Sequence, residues 1–424
     1  MPKKLRLLLI TNLFPTPVDP VRGIFIYQLV QELKSLCDIT IVCPLPWFPR
    51  IKSLYFIKKW YDFSLVPKSY FVNSVKVYSP KYLIIPRVSE TVHSVLMFLG
   101  VIKTVLNLNR QGRFDTINVQ WLYPDGVVAY WVARILRLPL SVSGLGCDVN
   151  LFLEQKQKKL QIVNMLKHVD VITVVSESMK RRLLEEGVQE QKISIIPNGV
   201  NARVFRLRDK AACRQKLALP REGKIVLFVG RLLEIKGVSY LIEAARLLAE
   251  MQREFTLYLV GEGAQRQRYE DAVTEHHLRD HVRFVGSKGH HEIGLWMGAC
   301  DVFCLPSLQE GCPNVVLEAL SCGRPVVASR VGGIPDMVCE KSGVLVEPED
   351  SHALCEVLDL ALHQEWEPSE IHRSVAHLSW EAAAEQYYRA IHATLTQQER
   401  KFPDEQRDTT KRCGKRTKAA YPHG

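Results

Sequence analysis

The chain has 424 residues, 47% of them hydrophobic and 24% charged, with a formal net charge of +11. That balance excludes a disordered, fibrous or disulfide-dense protein, and at ~100–200 residues per domain it leaves room for two domains or three. The eleven cysteines form neither a paired CxxC nor a Cys/His ladder, so they read as small buried hydrophobes in a reducing compartment, not as a zinc site or disulfide framework.

Leu5 to Ile10 follows Lys3 and Lys4 like the start of a signal peptide, but Arg6 interrupts it and Phe14-Pro15 ends it before an apolar core forms. It reads as a first buried strand of a cytosolic protein. Further strands are expected at 38–43, 115–119, 139–143, 170–175 and 192–196. Helices at 24–36, 90–108, 126–137 and 154–167 between them are long enough for right-handed crossovers. Within the second of these helices, Val92 to Leu106 is the longest strongly apolar stretch, yet His93, Gly100 and Lys103 break it, short of the ~18 uninterrupted residues of a membrane span. Ile195-Ile196-Pro197-Asn198-Gly199-Val200 closes the last strand with turn residues, placing a domain boundary near 199. The rhythm restarts with strands at Lys224–Gly230, Thr256–Val260, His281–Val285, Asp301–Leu305 and Pro325–Ser329, each followed by a helical pattern. Two such sheets in tandem place a cleft between them, and ligands bind outside the carboxyl ends of the strands.

The charge is concentrated. Residues 50–87 carry eight Lys/Arg against Asp62 alone, interleaved with nine aromatics, and residues 409–424 carry five basic residues and no acid. The first segment suits an anionic membrane surface, where aromatics favour the interface and each cation adds ~1 kcal/mol. Nucleic acid is a less favoured partner, and a solvated face is the bland alternative. Residues 398–424 read as a disordered basic tail.

The most informative segment runs from Asp301 to Ser329. A buried strand ends at Pro306, a loop carries Glu310 and Gly311, and a helix begins near Pro313, where a missing N–H is not needed. The start of that helix is expected to present free N–H groups from Asn314, Val315 and Val316 to a phosphate. Glu310 and Glu318 do different jobs: one stands before the helix at the cleft, the other lies a turn or more inside it.

Gly311-Cys312-Pro313-Asn314 between the two glutamates, with Glu318-Ala-Leu-Ser-Cys-Gly-Arg-Pro following, resembles the Glu-x7-Glu motif of retaining glycosyltransferases, and the chain from about 5 to 397 resembles glycosyltransferase family 4. The resemblance implies an α/β GT-B fold of two doubly wound Rossmann-like domains facing across a cleft. Residues 1–199 would bind the acceptor and 200–378 the nucleotide-sugar donor. Residues 379–397 would form a C-terminal helix packing back on the first domain, with 398–424 as the tail. It implies transfer of a sugar from a UDP- or GDP-linked donor to a glycan or lipid-linked acceptor, without metal or cofactor, by front-face attack.

On that view Glu310 holds sugar hydroxyls, Gly311 to Val316 line the donor, and Glu318 holds the ribose. Arg231 and Lys236, in Phe228-Val229-Gly230-Arg231 and Lys236-Gly237, neutralise the diphosphate. Fixed cations suit a metal-free site, because the leaving group develops charge. Arg283 falls in the stretch expected to line the base pocket, Gly23 in the loop after the first strand, and Gly332-Gly333 in a turn near the donor. Ser143-Gly144-Leu145-Gly146-Cys147-Asp148 matches the family's His-Gly-x-Asp element except that Leu145 replaces the His. Asp148 is therefore placed near the reaction centre, with capping of a helix as its other reading. No Asp-x-Asp occurs, and no metal is expected. An epimerase or phosphorylase-like enzyme and a non-catalytic nucleotide-sugar-binding protein are the alternatives.

Overall fold

The computed structural model describes residues 4–47, 58–84 and 92–401. The first sheet contains β1 (Leu5–Ile10), β2 (Cys37–Val42), β4 (Ser69–Val72), β5 (Val75–Tyr78), β7 (Thr116–Gln120), β8 (Leu140–Gly144), β9 (Val171–Val174) and β10 (Ile193–Ile195), while β3 (Leu45–Trp47) and β6 (Lys81–Leu83) pair separately. Its order is β10-β9-β8-β7-β1-β2-β5-β4, parallel except for the β4–β5 hairpin. The second sheet, β11 (Lys224–Val229), β12 (Phe255–Val260), β13 (Val282–Gly286), β14 (Val302–Leu305), β15 (Val326–Ser329) and β16 (Gly343–Val346), is ordered β13-β12-β11-β14-β15-β16 and is parallel throughout.

Parallel strands covered on both faces need near-continuous apolar runs, not alternation. Leu7 to Ile10 in β1 and Ile225 to Phe228 in β11 meet that need and are buried. The strand order reverses between β1 and β7 in the first sheet and between β11 and β14 in the second. Chains leaving the two strands at such a point diverge, and the crevice they leave is where open α/β sheets bind ligands.

This is the two-domain architecture implied by the sequence. The hairpin β4–β5, the β3–β6 pair and β16 lie beyond the expected strands. The hairpin and β6 fall in the basic segment, where Lys68, Lys76 and Lys81 dilute the apolar signal. Residues 50–57 and 85–87 of that segment lie outside the described residues, as do 402–424 of the tail. The preceding helix, Trp380–Lys401, extends through the first residues read as tail.

The chain crosses between the domains at Gly199-Val200 and returns at Ser379-Trp380. The crossings lie side by side: Val200 N–H donates to the Leu378 carbonyl at 2.9 Å, and Val200 bridges to Ser379. They are so close that a Cβ on Gly199 would stand 2.2 Å from the Trp380 nitrogen. Helix Trp380–Lys401 then lies against the first domain, where Trp380, Ala383, Ala384 and Tyr387 pack with Leu29, Leu33 and Ile196.

Candidate active site

The loop after β14 is held from three sides. Gly237 has φ +64, and a Cβ there would lie 1.9 Å from the Pro306 carbonyl oxygen; only glycine lets this backbone press so close. Leu308 N–H donates to the Ile235 carbonyl at 2.9 Å, lacing the two segments together. The result sets Lys236 Nζ 2.5 Å from Glu310 Oε1, which also accepts from Ser307 Oγ at 2.7 Å.

The Glu310 backbone is fixed as well. Its carbonyl accepts from Asn150 Nδ2 of the first domain at 3.0 Å. Gly332, at φ +57, packs beneath it so tightly that a Cβ would approach the same carbonyl to 2.2 Å. Gly333 N–H donates to the Gly311 carbonyl at 2.7 Å, and a Cβ on Gly311 would lie 2.5 Å from Gly146 Cα. Glu310 and Gly311 are thus pinched between the Leu145–Asn150 loop and the glycine turn.

Pro313 caps the helix Asn314–Ser321 from outside and does not open it. Val316 N–H donates to the Pro313 carbonyl at 3.0 Å, which corrects the expectation of three free donors: a tight first turn consumes the third, leaving Asn314 and Val315 at the open end. The Asn314 side chain accepts from Asn198 Nδ2 at 2.8 Å. Arg231, just past β11, is exposed, with no hydrogen-bonded or ionic partner among the described residues. Arg231 and Glu310 therefore follow the two strands that flank the second sheet's reversal.

Glu318 is half-buried on the same short helix, and desolvation pushes its carboxyl up to about 8. Gly23 takes φ +58 ahead of the helix Ile24–Leu36, with room for no Cβ, since Leu13 O would be 2.2 Å away.

Three residues stand differently from expectation. Arg283 lies early in β13, and its guanidinium turns back to the Arg279 carbonyl before the strand; strand alternation and this contact hold it away from the carboxyl end, where Gly286 sits. The Cys312 thiol donates to Met337 Sδ at 3.8 Å, and burial pushes it up to about 12, so it is engaged with that side chain. Asp148 is buried, and its carboxylate accepts from the N–H groups of Leu122, Leu145 and Gly146, each at 2.9 Å. Burial raises its pKa to about 6 while those bonds oppose the rise. Asp148 holds two loops in place and turns no oxygen to the cleft, so it positions the site without touching it. Leu145 packs between two apolar clusters of the first domain.

Sequence reasoning missed Ser307, Asn150 and Asn198. Ser307 had one signal, a hydroxyl three residues before Glu310 at a strand end. Asn198 lay among residues read as a turn and Asn150 just past the Gly-x-Asp element, but only the fold shows that they face the opposite domain. Among the described residues, no group of three His, Cys, Asp or Glu is arranged to hold a metal ion.

Comparison with known proteins places this geometry. The family model for glycosyl transferases group 1 matches residues 209–376, and that for Glycosyltransferase Family 4 matches 23–204. TuaC of Bacillus subtilis, named for teichuronic acid biosynthesis, is 27% identical over 371 residues, which cover 86% of this chain and 91% of that protein. The amylovoran biosynthesis glycosyltransferase AmsK of Erwinia amylovora is 29% identical over 220 residues, 50% of this chain and 52% of its own. In fold, the sucrose-phosphate synthase of Thermosynechococcus elongatus aligns with a TM-score of 0.72 at 24% identity, over 92% of this chain and all of that one. HepE of Anabaena, solved with UDP, aligns with a TM-score of 0.63 at 19% identity, over 94% and 98% of the two chains. A family 4 amino-terminal domain and a group 1 carboxyl-terminal domain, meeting around Glu310, make this chain a member of the GT-B glycosyltransferases.

Proposed function

We propose that this glycosyltransferase moves a sugar, with retention of anomeric configuration and without a metal ion, from a nucleoside diphosphate sugar to a glycan or lipid-linked acceptor. The observation that carries this reading is the Lys236–Glu310 contact at the second sheet's reversal, beside the open end of the helix Asn314–Ser321, with Arg231 following the neighbouring strand of the same reversal. Two fixed cations and two backbone N–H groups supply the positive field that a leaving diphosphate requires. Lys236 and Glu310 neutralise each other until the donor arrives; the diphosphate then takes the ammonium, and Glu310 accepts from sugar hydroxyls. The bond from the anomeric carbon to the phosphate oxygen breaks as the acceptor oxygen bonds to the same face. The acceptor's proton passes to the leaving phosphate. Glu318 receives the ribose hydroxyls, Asp148 keeps the Leu145–Asn150 loop in register, and Gly23 opens the first domain's helix toward the cleft.

Supporting the acceptor class are the relatives named for teichuronic acid and amylovoran biosynthesis. We place the chain at the cytoplasmic face of a membrane, held by the described part of the basic segment, where Leu65, Phe71 and Leu83 are exposed. No helix among the described residues is long and apolar enough to cross a bilayer. Thermal shift against UDP, GDP and ADP with their sugars, followed by hydrolysis of the best donor with and without EDTA, tests the function. Loss of turnover in EDTA that Mn²⁺ restores removes the metal-free mechanism, and failure to bind any nucleotide removes the donor assignment.

A further inference from the structure

The first sheet has its own reversal between β1 and β7, and the residue that leaves β7 is Trp121. Its backbone is unusual, with φ 146 and ψ 132, a region that side chains rarely adopt and that is maintained only where the surroundings impose it. The imposition is visible: the next residue, Leu122, has its N–H fixed by Asp148, and Leu122 and Tyr123 are fully buried. Trp121 is turned out by this arrangement and remains half-exposed at the carboxyl end of the strand.

Phe152 meets it there. The two rings stand edge to face at 6.1 Å and 88°, and Phe152 makes a second such contact with Tyr123 at 6.0 Å and 81°. Lys158 Nζ lies 4.7 Å from the centre of Phe152 and 5.7 Å from that of Tyr123. Its neighbours have taken the nearby acids: Lys159 pairs with Glu186 at 2.7 Å and Arg182 with Glu154 at 2.5 Å. Lys158 itself has no carboxylate partner among the described residues. His93, edge to face with Tyr123, is neutral at physiological pH, since burial and the lysine's own charge lower it to about 4.

This corner is two residues along the chain from Asn150, whose side chain bonds the Glu310 carbonyl. A half-exposed aromatic right angle offers an apolar face to the C–H side of a pyranose ring. An uncompensated ammonium over those rings offers a counter-charge. We infer that Trp121, Phe152 and Lys158 form the acceptor subsite, and that it takes a saccharide carrying a negative charge, either a uronate or a sugar phosphate. The inference rests on the transferase reading but names the acceptor's chemistry, which that reading leaves open.

The test uses the full chain and probes that share a glucopyranose ring and differ in the charged group they carry. Binding of methyl glucuronoside and methyl glucoside is measured by saturation-transfer NMR, and glucose 1-phosphate serves as the phosphate arm. Wild-type protein is expected to bind an anionic probe about tenfold more tightly than the neutral one, with the difference shrinking as salt rises. The arm that shows the preference distinguishes carboxylate from phosphate. Lys158→Gln should abolish the preference and Lys158→Arg should keep it, while Trp121→Leu should weaken charged and neutral probes alike. Equal binding of all three probes by wild type, or a preference that survives Lys158→Gln in a variant of unchanged thermal stability, overturns the assignment. Donor hydrolysis by wild type is scored separately: a chain that discriminates the probes but hydrolyses no donor loses the transferase reading and keeps the anion-selective site.

Discussion

Replacing Glu310 by Gln should move turnover and nucleotide affinity in opposite directions. The carboxylate's side chain is 9% exposed and that of Lys236 23% exposed, so their contact at 2.5 Å is largely sheltered from screening. A hydrogen bond to a charged group contributes ~1.5–3 kcal/mol. Gln retains the Ser307 bond and a carbonyl oxygen for the lysine, which reduces the expected loss of stability to ~1–2 kcal/mol. The ammonium no longer has a competing anion, so a diphosphate should bind on the order of 1 kcal/mol more tightly, about fivefold in Kd. Transition-state stabilisation of the sugar should fall by ~2.7–4 kcal/mol, a loss of about 10²–10³ in turnover at saturating donor. Isothermal titration with the preferred nucleoside diphosphate and single-turnover hydrolysis of its sugar measure the two quantities. Tenfold weaker nucleotide binding with turnover retained would refute the roles assigned to both residues.

Arg231→Ala should cost ~2–4 kcal/mol of transition-state stabilisation, yet shift the unfolding midpoint by no more than the ~0.5 kcal/mol of a surface change, because the side chain is exposed and unpaired; equal kcat/KM for variant and wild type would exclude it from the site. Glu318 keeps its proton to about pH 8, whereas an unfolded chain releases it near 4.5. Its contribution to stability is therefore complete below about pH 4.5 and is lost as pH rises to about 8, by an amount on the order of 1–2 kcal/mol once its partial exposure is allowed for. Ribose hydroxyls donate to the ionised form, so nucleotide affinity should increase between pH 6 and 8, and Glu318→Gln should flatten both profiles in denaturation and titration series. Gly332→Ala, with φ +57 and a Cβ 2.2 Å from Glu310 O, should destabilise by ~1–3 kcal/mol and lower turnover, whereas Gly289→Ala, which meets open space, should do neither in the same assays. Vesicles rich in anionic lipid should bind the protein less as salt rises, and Lys58, Lys59 and Lys68 changed together to Ser should weaken binding by ~1 kcal/mol per cation; sedimentation showing the triple variant bound as well as wild type would remove this surface.

The parallel strands were readable because burial on both faces leaves uninterrupted runs such as Leu7 to Ile10, and the loop carrying Glu310 and Gly311 was readable as a strand-to-helix connection because a strand end, a glycine and a proline coincide there. Arg283 was misplaced because a motif gives the strand but not which half of it reaches the cleft. Val316 was lost to a tight turn that propensities do not foresee, and Cys312 and Asp148 to burial, which turned one into packing and the other into a staple for three backbone N–H groups. Nothing in the sequence sets Trp121 and Phe152 apart from other aromatics. Only a backbone torsion brings the first outward, and no spacing rule encodes that torsion.

The paired crossings at Gly199-Val200 and Ser379-Trp380 have a consequence for how this molecule can be taken apart. Two strands that pass at one place act as a single hinge pin, so the carboxyl-terminal half can swing toward the amino-terminal half without stretching either connection. Few polar ties resist that swing among the described residues: Asn150 to Glu310, Asn198 to Asn314 at 2.8 Å, the Glu177 N–H to Asp336 at 2.9 Å, and Gln28 to His290 at 3.4 Å span the opening. The helix that follows the second crossing nevertheless belongs, by its packing, to the half the chain left behind. A fragment ending at residue 199 would bare Leu29, Leu33 and Ile196, whereas the same fragment supplied with residues 380–401 would regain its cover. The helix is a clasp that closes the amino-terminal half only after the whole of the other half has been made.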